Sequence, residues 1–399
     1  MSDSPVLFHT LPAANGMQLG VATLNSEKTL NALSKEMVQL LGKQLQAWDE
    51  DDSIAMVVLQ AAGEKAFCAG GDLQNLYASM REHHASDKKD DFLGNAYALD
   101  FFEQEYRLDY QIHTYRKPIL CWGHGIVMGG GIGLMAGASH RVVTEKSRLA
   151  MPEIAIGLFP DVGGTWFLNR MPGKLGLFLA LTGANINASD AVFVKLADLQ
   201  LPHESKAELL ARLQACEWSR QTDNNKLSNH LRLSHILHEQ QRNANVVSSV
   251  GPLRQHFDLI NQLCNAADLS AIISNICQLD ASLLNDDVWL QKAVTSLQKG
   301  SPTSAWLAHA LQERGKHLSL AEIFRMELVA ALACAQGHDF AEGIRALIVD
   351  KDQKPQWLPG SLGELQPQDG ARYFARLWAT EQHPLRDLGA VENMQKRAA

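Results

Sequence analysis

The sequence predicts an α/β fold followed by an all-helical region, and three observations predict it. Apolar, β-branched runs of strand length recur through the first half; the two clearest are each followed by a cluster of glycines; and the glycines lead into stretches of helical spacing. Beyond about Pro202 the β-branched runs and glycine clusters thin out and helical periodicity takes over. The 399 residues, at roughly 150 per domain, are enough for two to three domains or one enlarged domain with an appendage. The expected division is a core over 1–205 and a helical region over 206–399.

Taken in order, Gln18 to Leu24 alternates as a strand does. Asn31 to Asp49 reads as a helix with Ser34 as N-cap and Met37, Leu41, Leu45 and Trp48 on one face. Ile54 to Gln60 is expected as a buried strand, and the turn Ala69-Gly70-Gly71-Asp72 follows it. A polar, charged insertion around Arg81 to Asp91 precedes a helical stretch, Phe92 to Tyr115, and a second strand, Ile119 to Trp122. Glycines follow again, with short strands near Arg141 to Thr144. In the second half Leu209 to Leu237 and Leu253 to Leu290 are helical by period. Ser301-Pro302-Thr303-Ser304 is a helix start, and Leu318 to Ala335 is a helix that ends at Gly337, with Ile323, Met326, Leu328 and Ala331 among its apolar positions. His338-Asp339 is expected as a helix-ending turn that docks the helical half onto the core.

Composition narrows the function classes. A hydrophobic fraction of 46% with 20% charged residues is ordinary for a globular chain and argues against disorder, collagen or coiled-coil arrays. The net charge of -8 and the lack of a basic run argue against a nucleic acid or an anionic membrane as the main partner. Cys68, Cys121, Cys216, Cys264, Cys277 and Cys334 are scattered singly, without the close pairs of a zinc or redox motif, so a reducing compartment and no metal are expected. Met1 to Pro5 has neither secretory nor transit character, which points to the cytoplasm. Even Gly123 to Ala138 is too broken by glycines to suggest a membrane span.

Three constellations carry candidate chemistry. In Ala66-Phe67-Cys68-Ala69-Gly70-Gly71-Asp72 two adjacent glycines would let backbone N–H groups face a ligand closely, although, for this motif taken alone, a tight turn needing positive φ is the stronger reading. Gly123-His124-Gly125-Ile126-Val127-Met128-Gly129-Gly130-Gly131-Ile132-Gly133 follows a strand and leads into a helix, whose N-terminus offers free donors. Two such loops supply what an oxyanion hole requires. The third, Met151 to Gly164, carries Glu153 and Asp161 eight residues apart among apolar neighbours, prolines and glycines. Such surroundings would desolvate a carboxylate and raise its pKa, as a general base or acid requires; solvated loop residues or helix caps are the bland alternative.

The ordered motifs AFCAGGD, KPILCWGHGIVMGGGIGL and MPEIAIGLFPDVGGTWFLNR resemble the enoyl-CoA hydratase/isomerase, or crotonase, superfamily. Within it the likeness is greatest to members that hydrolyse 3-hydroxyisobutyryl-CoA, through FFEQEYRL from Phe101, FPDVGG, SPTS from Ser301 and GHDFAEGIRALIVDKDQKPQW from Gly337. The resemblance covers nearly the whole chain, with little to match over 199–297. It implies a core of repeated ββα units that binds acyl-CoA over 1–205, and a hydrolase-type helical segment after it. The implied activity is hydrolysis of a short 3-hydroxyacyl-CoA thioester, 3-hydroxyisobutyryl-CoA in valine catabolism.

The resemblance also implies roles. The backbone N–H groups of Gly71 and Gly130 become the oxyanion donors, and Glu153 and Asp161 the catalytic carboxylates. Glu105 stands at the acyl pocket, and Ala69, Gly70 and Gly129 contact the substrate. Hydratases of the superfamily carry a glutamate soon after the glycine triplet, where this chain has Gly133, and that departure argues against hydration. Glu153 either attacks the thioester or activates water, while Asp161 and Glu105 orient the acyl hydroxyl and the water. No cofactor is expected, since coenzyme A is part of the substrate; self-association into a homo-oligomer is open. Two rival readings remain: an enoyl-CoA hydratase or isomerase, and a non-catalytic CoA-binding scaffold. His124 is read as structural, His83-His84 and Lys65 as surface residues, and Trp122, Trp166, Trp306 and Trp357 as packing.

Overall fold

The structure, a computed structural model, describes residues 4–220, 226–244, 246 and 249–390. The chain divides into two compact units, each made of three stretches: Met1–Gly71, Arg107–Leu149 and Ile186–Arg254 form unit 1, and Asp72–Tyr106, Ala150–Asn185 and Gln255–Ala399 form unit 2.

The strands are β1 (Val6–Pro12), β2 (Gln18–Leu24), β3 (Ile54–Ala61), β4 (Ala66–Cys68), β5 (Ile119–Gly123), β6 (Ile126–Met128), β7 (His140–Val143), β8 (Arg148–Ala150), β9 (Ile186–Asn187) and β10 (Leu199–Gln200). The helices that matter most here are α1 (Lys35–Glu50), α2 (Leu73–His84), α3 (Ala96–His113), α4 (Gly130–Ala136) and α5 (Gly164–Leu168). One sheet has the order β1-β2-β3-β5-β7-β10 and a second has β4-β6-β8-β9. Only the β1–β2 pair of the larger sheet is antiparallel. The implied ββα repeat is present twice in full, as β3-β4-α2 and β5-β6-α4. A third pair, β7-β8, leads into a 3-10 turn, Glu153–Ile156. In each repeat the first strand joins the larger sheet and the second joins the smaller one.

The core of unit 1 lies on the larger sheet. Leu19, Val21, Met56, Val58, Leu120, Trp122 and Val142 form its apolar face, and they meet Leu209, Leu213, Trp218, Leu233, Ile236 and Leu237. These last residues belong to or adjoin the helices Lys206–Gln214 and Lys226–Asn243. Every residue of β3 except Gln60 is buried, as its unbroken apolar run predicts for a parallel strand covered on both faces. Residues 221–225, within the helical stretch expected from Leu209 to Leu237, lie outside the described residues. Helix α1 is capped as expected, with the Ser34 hydroxyl accepting the Met37 N–H, and Met37, Leu41, Leu45 and Trp48 are buried. It starts at Lys35 rather than Asn31 because Leu30 and Asn31 are left-handed, at φ 55° and 56°. The Asn31 side chain instead bridges the carbonyls of Ala62 and Ala66, at 3.1 and 3.0 Å.

Unit 2 is mostly helical. Leu175–Thr182 is buried on every residue, the helix start expected at Ser301 carries its side-chain cap, and the helix expected from Leu318 begins at Leu320, capped by Ser319. His338-Asp339 departs from expectation: it opens a helix, His338–Ile344, after the extended Gly337. Asp339 is buried there and accepts from the Ser301 hydroxyl at 2.7 Å and the Leu358 N–H at 2.8 Å. The two adjacent histidines also depart from the surface reading. His83 is buried with Nε2 on the Lys88 carbonyl, and His84 places Nε2 on the Ala335 carbonyl. Among the described residues no helix is long and apolar enough to cross a membrane.

Candidate active site

In unit 1 the two glycine loops are neighbours. Each follows a short strand of the smaller sheet, and β4 and β6 pair in parallel, so the turns after them emerge side by side. Gly70 holds φ 112°, the positive value that a tight turn there needs, and Gly129 holds φ 49°. The loops touch so closely that a Cβ on Gly131 would lie 2.4 Å from the Cys68 carbonyl oxygen, a distance no side chain tolerates. Gly130 is the first residue of α4, where an amide has no acceptor inside the helix. The other loop is pinned by Leu33, whose N–H donates to the Gly70 carbonyl at 2.7 Å, and by Ala69, whose N–H donates to the Leu30 carbonyl at 3.1 Å.

In unit 2 the predicted carboxylates form a buried cluster. Glu153 opens the 3-10 turn, with Pro152 before it and left-handed Gly157 closing it by an N–H to the Glu153 carbonyl. Gly157 is required there, since a Cβ would come within 2.3 Å of the Asp339 backbone. Glu105 lies on α3, and Asp161 lies in the loop before α5. All three are buried. Burial pushes Asp161 up from its ordinary 3.8 to about 7, against the pull of a hydrogen bond from Tyr106. Glu105 is held well above the carboxylate range by burial and then by Asp161. Glu153 is held there by burial, then by the charges of Asp161 and Glu105, and its Oε2 has no hydrogen-bond partner among the described residues. All three carboxyls are thus held toward their protonated forms, and Asp161, at about 7, is available in both protonation states near neutral pH, which suits it to proton transfer.

Two members of this cluster were not foreseen. The Tyr106 hydroxyl donates to Asp161 Oδ2 at 2.8 Å. Glu327, in the helix Leu320–Gln336, accepts the Gly163 N–H at 2.8 Å on Oε2 and the Thr165 N–H at 2.9 Å on Oε1. Burial raises Glu327 to about 8 against the pull of those amides, with Asp161 adding to the rise. The available signals were that Tyr106 directly follows Glu105, and that Glu327 interrupts an otherwise apolar helix face with a charge.

Of the remaining expectations, Lys65 is exposed and Trp122 is buried in the core. His124 is buried with Nε2 on the Gly63 carbonyl at 2.9 Å, and burial lowers its pKa. Gly133 is buried within α4, so no carboxylate occupies that position.

A family model described as enoyl-CoA hydratase/isomerase matches residues 19–374. A curated relative named 3-hydroxyisobutyryl-CoA hydrolase, mitochondrial, from Danio rerio is 37% identical over 94% of this chain and 90% of its own. One of the same name from Homo sapiens is 36% identical over 91% of this chain and 87% of its own. Among solved structures, a carnitinyl-CoA dehydratase from Mycobacterium thermoresistibile superposes with a TM-score of 0.77 at 33% identity, covering 94% of this chain and 97% of that one. An enoyl-CoA hydratase from Rhodobacter sphaeroides 2.4.1 also gives a TM-score of 0.77, at 32% identity, covering 93% of this chain and 97% of that one.

Proposed function

This chain belongs to the enoyl-CoA hydratase/isomerase family, and we propose that within it the protein is a thioester hydrolase that converts 3-hydroxyisobutyryl-CoA to 3-hydroxyisobutyrate and free CoA. The observation that carries this reading is the buried Glu153, with a carboxylate oxygen that has no hydrogen-bond partner among the described residues, beside an Asp161 held at about 7. The names of the relatives that match nearly the whole chain agree with it.

In the proposed mechanism the thioester oxygen accepts the N–H groups of Gly71 and Gly130, which stabilise the negative charge that develops when the carbonyl carbon becomes tetrahedral. Glu153 either attacks that carbon, expelling the CoA thiolate and leaving a mixed anhydride for water to cleave, or takes a proton from the attacking water. Asp161 shares the acid/base work, since a carboxyl at about 7 is available in both protonation states. Asp161 and Glu105 orient the acyl hydroxyl and the water. Gly70 and Gly129 let the backbone approach the substrate, and Ala69, whose N–H is engaged, would meet the adenine end of CoA through its carbonyl. Hydrolysis needs only water, so no cofactor beyond the substrate's own CoA takes part. The residues proposed to touch substrate all lie within 1–205, and the role proposed for 206–399 is to support them, as Glu327 would through the Gly163 and Thr165 N–H groups.

Hydration is the second reading, favoured by the names of the two superposed structures. Against it stands Gly133, which leaves Glu153 without the second glutamate that hydration in the superfamily uses. The proposed setting is valine catabolism in the cytoplasm, whereas the curated relatives are named mitochondrial; cell fractionation decides between the two. Self-association into a homo-oligomer is part of the proposal and is read by analytical ultracentrifugation.

The test is free-thiol release from 3-hydroxyisobutyryl-CoA by the intact protein and by Glu153→Gln, with crotonyl-CoA hydration in parallel. The expected result is thiol release that the variant loses by about a hundredfold or more. Hydration without release overturns the reading in favour of a hydratase, and CoA binding without either activity overturns it in favour of a scaffold.

A further inference from the structure

The turn that carries Asp161 is strained. Val162 sits at φ 49°, in the left-handed region that a β-branched side chain avoids, and Gly163 follows at φ 84°. Three amides at this turn are engaged. The Gly164 N–H returns to the Asp161 carbonyl at 2.6 Å, while the N–H groups of Gly163 and Thr165 go to the two oxygens of Glu327. Glu327 reaches them from an apolar helix whose neighbouring Phe324, Leu328, Ala330 and Ala331 are buried. A carboxylate placed there is costly unless its hydrogen bonds are needed.

We propose that Glu327 is a positioning residue for Asp161, holding the left-handed Val162 turn in the conformation that presents the Asp161 carboxyl. The proposal rests on the reading of Asp161 as part of the hydrolytic site. The Asp161 segment is thereby held at two places: Tyr106 holds the carboxyl, and Glu327 holds the backbone of the turn that follows, at Gly163 and Thr165. Starting a short helix on a buried carboxylate is a device this chain uses elsewhere. In unit 1 Asp190 accepts the Leu253 and Arg254 N–H groups at 3.1 and 3.0 Å. The turn at Glu327 differs in being left-handed at a valine and in beginning from Asp161. Asp190 is therefore the natural control, a clamp of the same chemistry with no proposed tie to the reaction.

The experiment compares full-length wild type, Glu327→Gln, the double variant Val162→Gly with Glu327→Gln, and Asp190→Asn. Glutamine keeps the length of Glu327 but accepts from one amide and turns an NH2 group toward the other. The expected result for Glu327→Gln is a kcat for thiol release lowered about tenfold or more with KM within about threefold. Hydrogen–deuterium exchange over the peptide containing 163–165 should accelerate about tenfold or more. Glycine adopts the left-handed turn without strain, so the double variant should recover about threefold or more of the lost kcat. Asp190→Asn should lower the melting temperature and leave kcat within about twofold. A Glu327→Gln enzyme with wild-type kcat, unchanged exchange at 163–165, or an equal kcat loss in Asp190→Asn overturns the proposal. If Glu327→Gln does not fold, the double variant takes its place, and a double variant that also fails to fold assigns Glu327 a purely structural role and overturns it. Should wild type release no thiol, the hydrolase reading fails, while the exchange measurement still decides whether Glu327 clamps the turn.

Discussion

The Tyr106 hydroxyl and the Asp161 carboxylate are joined by a 2.8 Å hydrogen bond in a place where both side chains are buried. That bond restrains Asp161: burial drives its carboxyl up, the hydroxyl pulls it back, and the balance stands at about 7. Tyr106→Phe removes the pull without changing the ring, which packs near Phe102 and Phe324. Hydrogen bonds to charged groups contribute about 1.5–3 kcal/mol, equivalent to about tenfold or more in proton affinity. The limb of the kcat/KM profile that titrates near neutral pH should therefore move to higher pH in this variant. A limb that stays in place would assign that titration to another group.

Burial of these acids also makes stability depend on pH. Asp161 rises from 3.8 to about 7 on folding and Glu327 from 4.5 to about 8. Between those limits the folded chain keeps protons that the unfolded chain gives up, so their contribution is fullest below the unfolded values and is lost as pH climbs through the folded ones. His113 and His140, both lowered to about 4 by burial, act in the opposite sense between about 4 and 6.5. The contribution of Asp161 is isolated by Asp161→Asn. The stability of this variant relative to wild type should rise from about pH 4.5 to about pH 8, as read by urea unfolding at both. A gap of equal size at the two pH values would mean that Asp161 titrates alike in the folded and unfolded chains.

Gly131→Ala tests the contact between the glycine loops. The new methyl would sit 2.4 Å from the Cys68 carbonyl oxygen, so the loops must part. The expected cost is about 1–3 kcal/mol of stability. Thiol release should fall by about tenfold to a thousandfold, because oxyanion donors work only when correctly placed. Thermal melting and steady-state kinetics on one sample check both. A destabilised variant with wild-type kcat would remove this loop contact from the proposed mechanism.

His124→Gln should leave kcat within about twofold while lowering the melting temperature, because the ring is engaged with the Gly63 carbonyl and burial keeps it neutral. A kcat loss of about a hundredfold or more in a folded variant would instead make His124 part of the chemistry.

What was legible in the sequence was local. Ser34 and Ser301 announce their helices because capping depends on residues three positions away, and both caps are present. The glycine loops announce themselves because positive φ selects glycine regardless of distant contacts. What escaped depends on distant partners. Tyr106 looks like one more aromatic in a helix that already holds Tyr97, Phe101, Phe102 and Tyr110 until Asp161, 55 residues on, meets its hydroxyl. Glu327 gains meaning only from Gly163 and Thr165, and Asp339 from Ser301 and Leu358. The start of α1 was misplaced because Asn31 has helical spacing, yet its side chain is drawn away by two carbonyls outside the helix.

The threading of unit 2 has a consequence for how the chain is made. Its three stretches are separated by the second and third stretches of unit 1. Gly163 and Glu327 are 164 residues apart, an interval that synthesis at roughly 5–20 residues per second takes roughly 8–33 s to cross. Leu175–Thr182, buried around its whole circumference in the finished protein, packs against the helices Phe257–Leu263, Val288–Lys299 and Pro302–Gly315, all of which are translated later. A growing chain therefore carries this apolar segment uncovered for seconds, a stage at which ribosome-associated chaperones can act on it, before the helices that enclose it exist.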